Sequence, residues 1–174
     1  LLALLLALLS GCVGDKVIRN LPLQAPQGRS PSDPMFQFAG TWQGKIEFFD
    51  APRFAPSAKG TSMDIRFVID MPSVRVFARP VSNRAAAWSE VKPGFFGAQA
   101  WGPQAVISSL TSGKDSDGLW VESISFTLVH DSPMTLVVYY VRAVNNLDLP
   151  VANPDAHFAW GGSGQLQRID DAAE

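Results

Sequence analysis

Residues 62–79 read SMDIRFVIDMPSVRVFAR, and this stretch decides the fold class. Met63, Ile65, Phe67 and Ile69 fall on one side of an extended chain, with Ser62, Asp64, Arg66, Val68 and Asp70 on the other. Side chains alternate faces along a strand, so this period of two marks a half-buried strand and not a helix. Asp70-Met71-Pro72-Ser73 carries turn chemistry, because Asp and Ser bond nearby backbone groups and Pro fixes φ. Val74, Val76 and Ala78 then resume opposite Arg75, Phe77 and Arg79, so residues 63–79 are expected to form a hairpin.

Working outward, the same alternation recurs. Trp42, Gly44, Ile46 and Phe48 share one face of a strand whose other face carries Thr41, Gln43, Lys45 and Glu47. Further strands are expected near 84–91 and 105–111, followed by a turn over Ser112–Gly118. The runs 119–129 and 134–144 read as a second hairpin across His130-Asp131-Ser132-Pro133. Val137, Val138, Tyr139, Tyr140 and Val141 are apolar on both faces, which suits a central or covered strand. A last strand is expected within 156–169. No stretch after residue 36 combines a helical period with caps. The expectation is an all-β domain over 36–170, a single antiparallel barrel of roughly seven or eight strands, with a two-sheet β-sandwich as the alternative.

Composition narrows the function classes. Charged residues are 17% of the 174-residue chain and the net charge is −2. Nucleic-acid binding needs clustered Lys and Arg to displace counterions, so no nucleic-acid partner is expected. Arg66, Arg75, Arg79 and Arg84 make 59–92 locally basic, but Asp64, Asp70 and Glu90 interrupt the run. The lone Cys12 excludes an intramolecular disulfide.

The start of the chain carries an address. Leu1–Leu9 is unbroken Leu and Ala, too short to span a hydrocarbon core of about 30 Å but suited to the apolar region of a secretory signal. Neither a basic leader nor a Met precedes it, so truncation at the start is expected. Leu9-Ser10-Gly11-Cys12 resembles the bacterial lipobox. That resemblance implies cleavage before Cys12, a diacylglyceryl thioether on its sulfur and commonly an acyl chain, such as palmitate, on its new amine. Two or more acyl chains anchor stably where one does not, at about 0.8 kcal/mol per buried CH₂. Residues 1–11 are then a signal peptide, and 12–35 a lipidated Pro-rich tether containing Pro22, Pro26, Pro31 and Pro34. Residues 171–174 are a tail. Val13 stands where an Asp retains many lipoproteins at the inner membrane, so the expected location is the outer membrane, facing the periplasm.

Phe38-Ala39-Gly40-Thr41-Trp42 on the first strand and Gln165-Leu166-Gln167-Arg168-Ile169 on the last are similar to the lipocalin and calycin pattern. There a first-strand Trp packs across the closed end of a barrel beneath a last-strand Arg. The resemblance makes Gly40, Trp42 and Arg168 a structural plug, the guanidinium over the indole contributing about 0.5–2 kcal/mol. The Thr-Asp-Tyr motif of that family has no counterpart.

Residues able to do chemistry do not converge in the sequence. His130, Asp131 and Ser132 are adjacent in a turn and cannot form a triad; His130 and His157 with one lipidated Cys make no zinc set. Asp115-Ser116-Asp117-Gly118 lacks the ligand spacing of a calcium loop. Gly161-Gly162-Ser163-Gly164 enters a strand, so it is read as a bend and not a phosphate loop. No nucleophile–base pair supports the hydrolase alternative, and no catalytic residue, metal or cofactor is expected. The remaining feature is aromatic: Trp88, Phe95, Phe96 and Trp101 cluster around Pro93-Gly94 in what reads as a long loop. Large apolar residues on such a loop either fold over the core as ordinary packing or are exposed to a ligand or partner. The two expected functions are a membrane-anchored envelope binder of a small apolar or amphipathic molecule, and a non-catalytic envelope assembly protein built on a filled β scaffold.

Overall fold

A computed structural model describes residues 33–51, 58–92, 96–116 and 118–169. Cys12 with the signal sequence and the tether as far as residue 32, Phe95 and the tail lie outside the described residues. The chain opens with a 3-10 turn, Pro34–Phe38, capped by the Asp33 carboxylate accepting from the Met35 amide at 2.8 Å. Asp33 to Met35, which composition grouped with the tether, are part of the folded structure, and Met35 is fully buried.

Nine strands follow among the described residues: β1 (Gly40–Asp50), β2 (Ser62–Asp70), β3 (Ser73–Pro80), β4 (Ser89–Glu90), β5 (Gly97–Trp101), β6 (Gln104–Asp115), β7 (Gly118–Ser132), β8 (Thr135–Asn146) and β9 (His157–Ile169). All pair antiparallel in one sheet of order β4-β3-β2-β1-β9-β8-β7-β6-β5, curled into a half-barrel. The hairpin over 63–79 forms as β2 and β3, closed at Asp70↔Ser73. The long β7/β8 hairpin pairs from Trp120↔Asn146 to Ser132↔Thr135.

Two expectations about architecture are corrected. The count is nine strands, not seven or eight, because the expected aromatic loop contains β5, paired to β6 from Gly97↔Ser108 to Trp101↔Gln104. The sheet is neither a closed barrel nor a two-sheet sandwich: β4 and β5 end the strand order and are not paired to each other among the described residues. Two residues of β4 and five of β5 offer too little backbone to close the ladder. Val91, just after β4, and Phe96, just before β5, pack on the core instead.

Register sorts the residues of the concave face into layers. At one end Phe38, Trp42, Leu128, Leu136 and Leu166 are fully buried. The Trp42 indole N–H donates to the Phe38 carbonyl at 2.8 Å, which ties the 3-10 turn across this end. The Arg168 guanidinium lies 5.6 Å from the Trp42 ring centroid. Gly40 has φ of 121°, a backbone conformation that favours glycine, and a β-carbon there would also crowd the Arg168 side chain at 3.1 Å. His130, read above as a turn residue, lies 4.6 Å from Phe38 and meets Trp42 edge-on at 5.8 Å. The reason is register: His130 still lies on β7, pairing with Leu136, and so faces inward with Leu128.

The middle layer is aromatic. Phe126 of β7 packs against Phe67 at 5.1 Å, Tyr140 at 5.2 Å and Phe96 at 5.9 Å between ring centroids. With Ile46, Ile65, Val76, Ile107 and Val138, all fully buried, these rings occupy the hollow of the half-barrel. The interior here is packed with the protein's own side chains.

Candidate functional site

Beyond Tyr140 the concave face changes character. Glu122 continues the inward register of Leu128, Phe126 and Ile124 on β7, which puts a carboxylate where the lower layers carry hydrocarbon. Arg142 occupies the matching inward position on β8. Since Ile124 pairs with Arg142 and Glu122 with Val144, the two charged residues are diagonal neighbours, within reach for long side chains. Trp160 of β9 pairs with Arg142, and Thr111 of β6 pairs with Glu122. Lys92 enters from the connection after β4 with φ of 47°.

The geometry is tight. Glu122 is 4% exposed. Its Oε1 accepts from Arg142 Nε at 2.6 Å, and its Oε2 meets Lys92 Nζ at 2.5 Å and the Thr111 hydroxyl at 3.4 Å. The Arg142 guanidinium stacks 4.6 Å from the Trp160 ring, and Lys92 Nζ lies 5.8 Å from that of Trp120. Phe48 meets Tyr140 edge-on at 5.8 Å, so the ionic group has an aromatic floor. One negative charge faces two positive ones, leaving one positive charge in excess. The side chains of Lys92 and Arg142 remain 34% and 31% exposed. This end of the half-barrel is therefore reachable from solvent through its cations, while the carboxylate is not.

Burial alone would raise the Glu122 pKa, but the hydrogen bonds and charges of Lys92 and Arg142 overcome it and hold the carboxyl below the ordinary 4.5. Burial pushes the Tyr140 phenol up to about 12, so it stays protonated. The depressed Glu122 pKa fixes the sign of its linkage. Its stabilising contribution is complete above the unfolded-state pKa and is lost as pH falls through the folded-state value. Urea midpoints are expected to fall from about pH 5 downward more steeply for the native chain than for Glu122→Gln. Parallel curves for the two would contradict an ionised, paired Glu122.

The aromatic residues picked out by sequence do not assemble. Trp88 lies on the convex face, its ring 4.6 Å from the Arg66 guanidinium and 4.4 Å from that of Arg79. Arg79 also donates to the nearly buried Asp64 at 3.1 Å, so Trp88 shields an ion pair outside the barrel. Phe96 joins the core against Phe126, and Trp101 is 56% exposed at the end of β5. An open groove of about 430 Å³ runs along Ala51, Asn153, His157 and Phe158, at the same end of the sheet as the ionic group, since Phe158 pairs with Val144 and Val144 with Glu122. The set missed from sequence is Lys92, Glu122 and Arg142. Its signal was present as two opposite charges at inward positions of paired strands, visible once the β7/β8 hairpin is laid in register.

No known protein family, curated protein or solved structure matches this chain.

Proposed function

We propose that the chain is a non-catalytic binding module of a bacterial envelope that takes a small amphipathic molecule at the ionic end of its half-barrel. It is held to the membrane by acyl chains on Cys12, at the outer membrane facing the periplasm. The observation that carries this reading is the Lys92–Glu122–Arg142 group among Trp120, Tyr140 and Trp160. Burying charge is costly, and hydrophobic replacements of buried ion pairs are often neutral or stabilising, so such a group is weak evidence for stability alone. The aromatic filling of the middle layer argues against a ligand lodged deep in the hollow, and leaves this end as the place for one. Glu122 is a poor acid or base: it is ionised, and both its oxygens are engaged. That supports binding over hydrolysis.

The test has two parts. Mass spectrometry of the mature N-terminus is expected to find Cys12 thioether-linked to diacylglycerol, and Cys12→Ser is expected to release the chain from the membrane fraction. An unmodified thiol on a soluble product removes the anchor. Titrating the unlipidated Cys12→Ser chain with twelve-carbon amphiphiles is expected to change Trp fluorescence saturably, through Trp120 and Trp160. A flat response with every amphiphile removes the binder.

A specific observation favours a second reading, a filled scaffold that docks another envelope protein. Leu110, Tyr139 and Val141 point outward from β6 and β8 and are 57%, 51% and 49% exposed. Crosslinking that recovers one defined partner through Tyr139, with no amphiphile response, would favour it.

A further inference from the structure

We infer that the ligand's polar end is an anionic oxygen group, a carboxylate or phosphate head, seated on Arg142 and Lys92 and disfavoured by the buried Glu122 beside it. This rests on the binding reading above and deepens it. The inference comes from an inventory of hydrogen-bonding groups at the ionic end. A guanidinium has five N–H donors and an ammonium three, and neither can accept. Arg142 uses its Nε toward Glu122, and its terminal nitrogens have no protein acceptor among the described residues. Among the described residues Lys92 has one ion-pair partner, also Glu122, and the buried Trp160 indole N–H has no acceptor. Both Glu122 oxygens are already engaged by Arg142, Lys92 and Thr111, so the charged donors at this end outnumber the charged acceptors.

A group that complements donors only, next to one excess positive charge, is an acceptor-only anion. Charge-assisted bonds to a carboxylate or phosphate are about twice as strong as neutral ones, and the planar guanidinium edge suits two parallel contacts. The Trp160 ring, 4.6 Å from the guanidinium carbon, restrains the Arg142 head. The Trp120 and Trp160 faces then offer apolar surface to the first carbons of a tail. A cationic head meets like charge here, and a sugar head leaves the excess charge unmet.

Glu122 gives the inference its distinctive consequence. It orients both cations, yet its own negative charge repels the incoming head. Glu122→Gln keeps the shape and one acceptor while raising the excess positive charge from one to two. Coulomb attraction over about 6 Å at an effective dielectric near 20 predicts roughly tenfold tighter anion binding after screening. A merely structural Glu122 predicts the opposite, weaker binding from a loosened site.

The experiment titrates the full mature chain carrying Cys12→Ser with dodecanoate, dodecyl phosphate, dodecyltrimethylammonium and dodecyl maltoside, each below its micelle concentration. Acetate and inorganic phosphate serve as heads without tails. Dodecanoate and dodecyl phosphate are expected to bind at least tenfold tighter than the neutral and cationic compounds, and to weaken with added salt. Arg142→Met and, separately, the more exposed Lys92→Met are expected to remove that preference, and Glu122→Gln to enhance it. Equal binding of all four heads, or weaker anion binding by a folded Glu122→Gln, overturns the anionic head and leaves the amphiphile reading standing. Acetate or inorganic phosphate binding as tightly as its dodecyl counterpart keeps the anion site and overturns the amphiphile. No binding of any compound overturns both.

Discussion

Phe126→Ala is expected to lower the unfolding free energy by about 3–5 kcal/mol, the range for removing a large aromatic from a packed interior. Phe126 is 1% exposed and is the one ring that touches Phe67, Phe96 and Tyr140 together. These partners come from β2, from the chain entering β5 and from β8, so its loss opens a void between both halves of the curled sheet. The neighbouring rings are held by their own strands and collapse only partly into such a void, which adds a cavity term to the lost transfer energy. Domains are commonly stable by only 5–15 kcal/mol, so most of the margin goes. Urea unfolding measures it. An unfolding free energy within about 0.5 kcal/mol of the native chain's would mean that the half-barrel is not filled as described, and would reopen its hollow to a ligand. Phe126→Leu, which keeps most of the volume, is expected to cost much less.

The same layer explains what could be read from sequence. The strands β2 and β3 were legible because alternating residues such as Ile65, Phe67, Val74 and Val76 sit on a sheet with one buried face, and the Asp70–Ser73 turn sets their register. The strands β7 and β8 were legible for the same reason, although each extends beyond the segment expected. Gly97-Ala98-Gln99-Ala100-Trp101 was not read as a strand: its small residues have little β preference, and it forms a strand by pairing with β6. The turn expected over Ser112–Gly118 is shorter than it looked. Gly113 pairs with Trp120, whose ring covers it, so β6 runs on to Asp115. Closure is a property of the two ends of the strand order, which no local pattern reports. The ionic end was missed because single charges within strands gain meaning only across a ladder. Glu122 and Arg142 stand 20 residues apart and become neighbours through the hairpin, while Lys92 arrives from a connection with no periodicity at all.

Gly164→Val is expected to prevent folding, or to cost more than about 3 kcal/mol, a larger effect than its place on a long strand suggests. The sequence marked Gly161–Gly164 as a bend, and the pairing of β9 with β1 shows what the bend requires. The two strands approach so closely that a β-carbon on Gly164 would overlap the carbonyl of Lys45, and one on Gly44 that of Gln165. Backbone cannot step aside as the end of a side chain can, so relief requires separating β1 from β9. Yet β1 joins β2, β3 and β4 to the rest of the sheet through this one seam. A shift there pulls Trp42 and Ile46 away from Leu136, Val138 and Leu166. The sheet must also curl enough for its concave face to meet itself, and glycine is how strongly bent strands avoid crowding on the inside of a bend. Gly164→Ala tests the same contact with the smallest possible group, and is expected to fall between the two in urea or thermal unfolding. Gly60→Ala is a suitable control for position: its φ of 78° carries backbone strain, but nothing lies within 4 Å of the added carbon. If Gly164→Ala proved no more destabilising than Gly60→Ala, the close seam would be wrong. The curl that brings Glu122, Arg142 and Lys92 together would then need another cause.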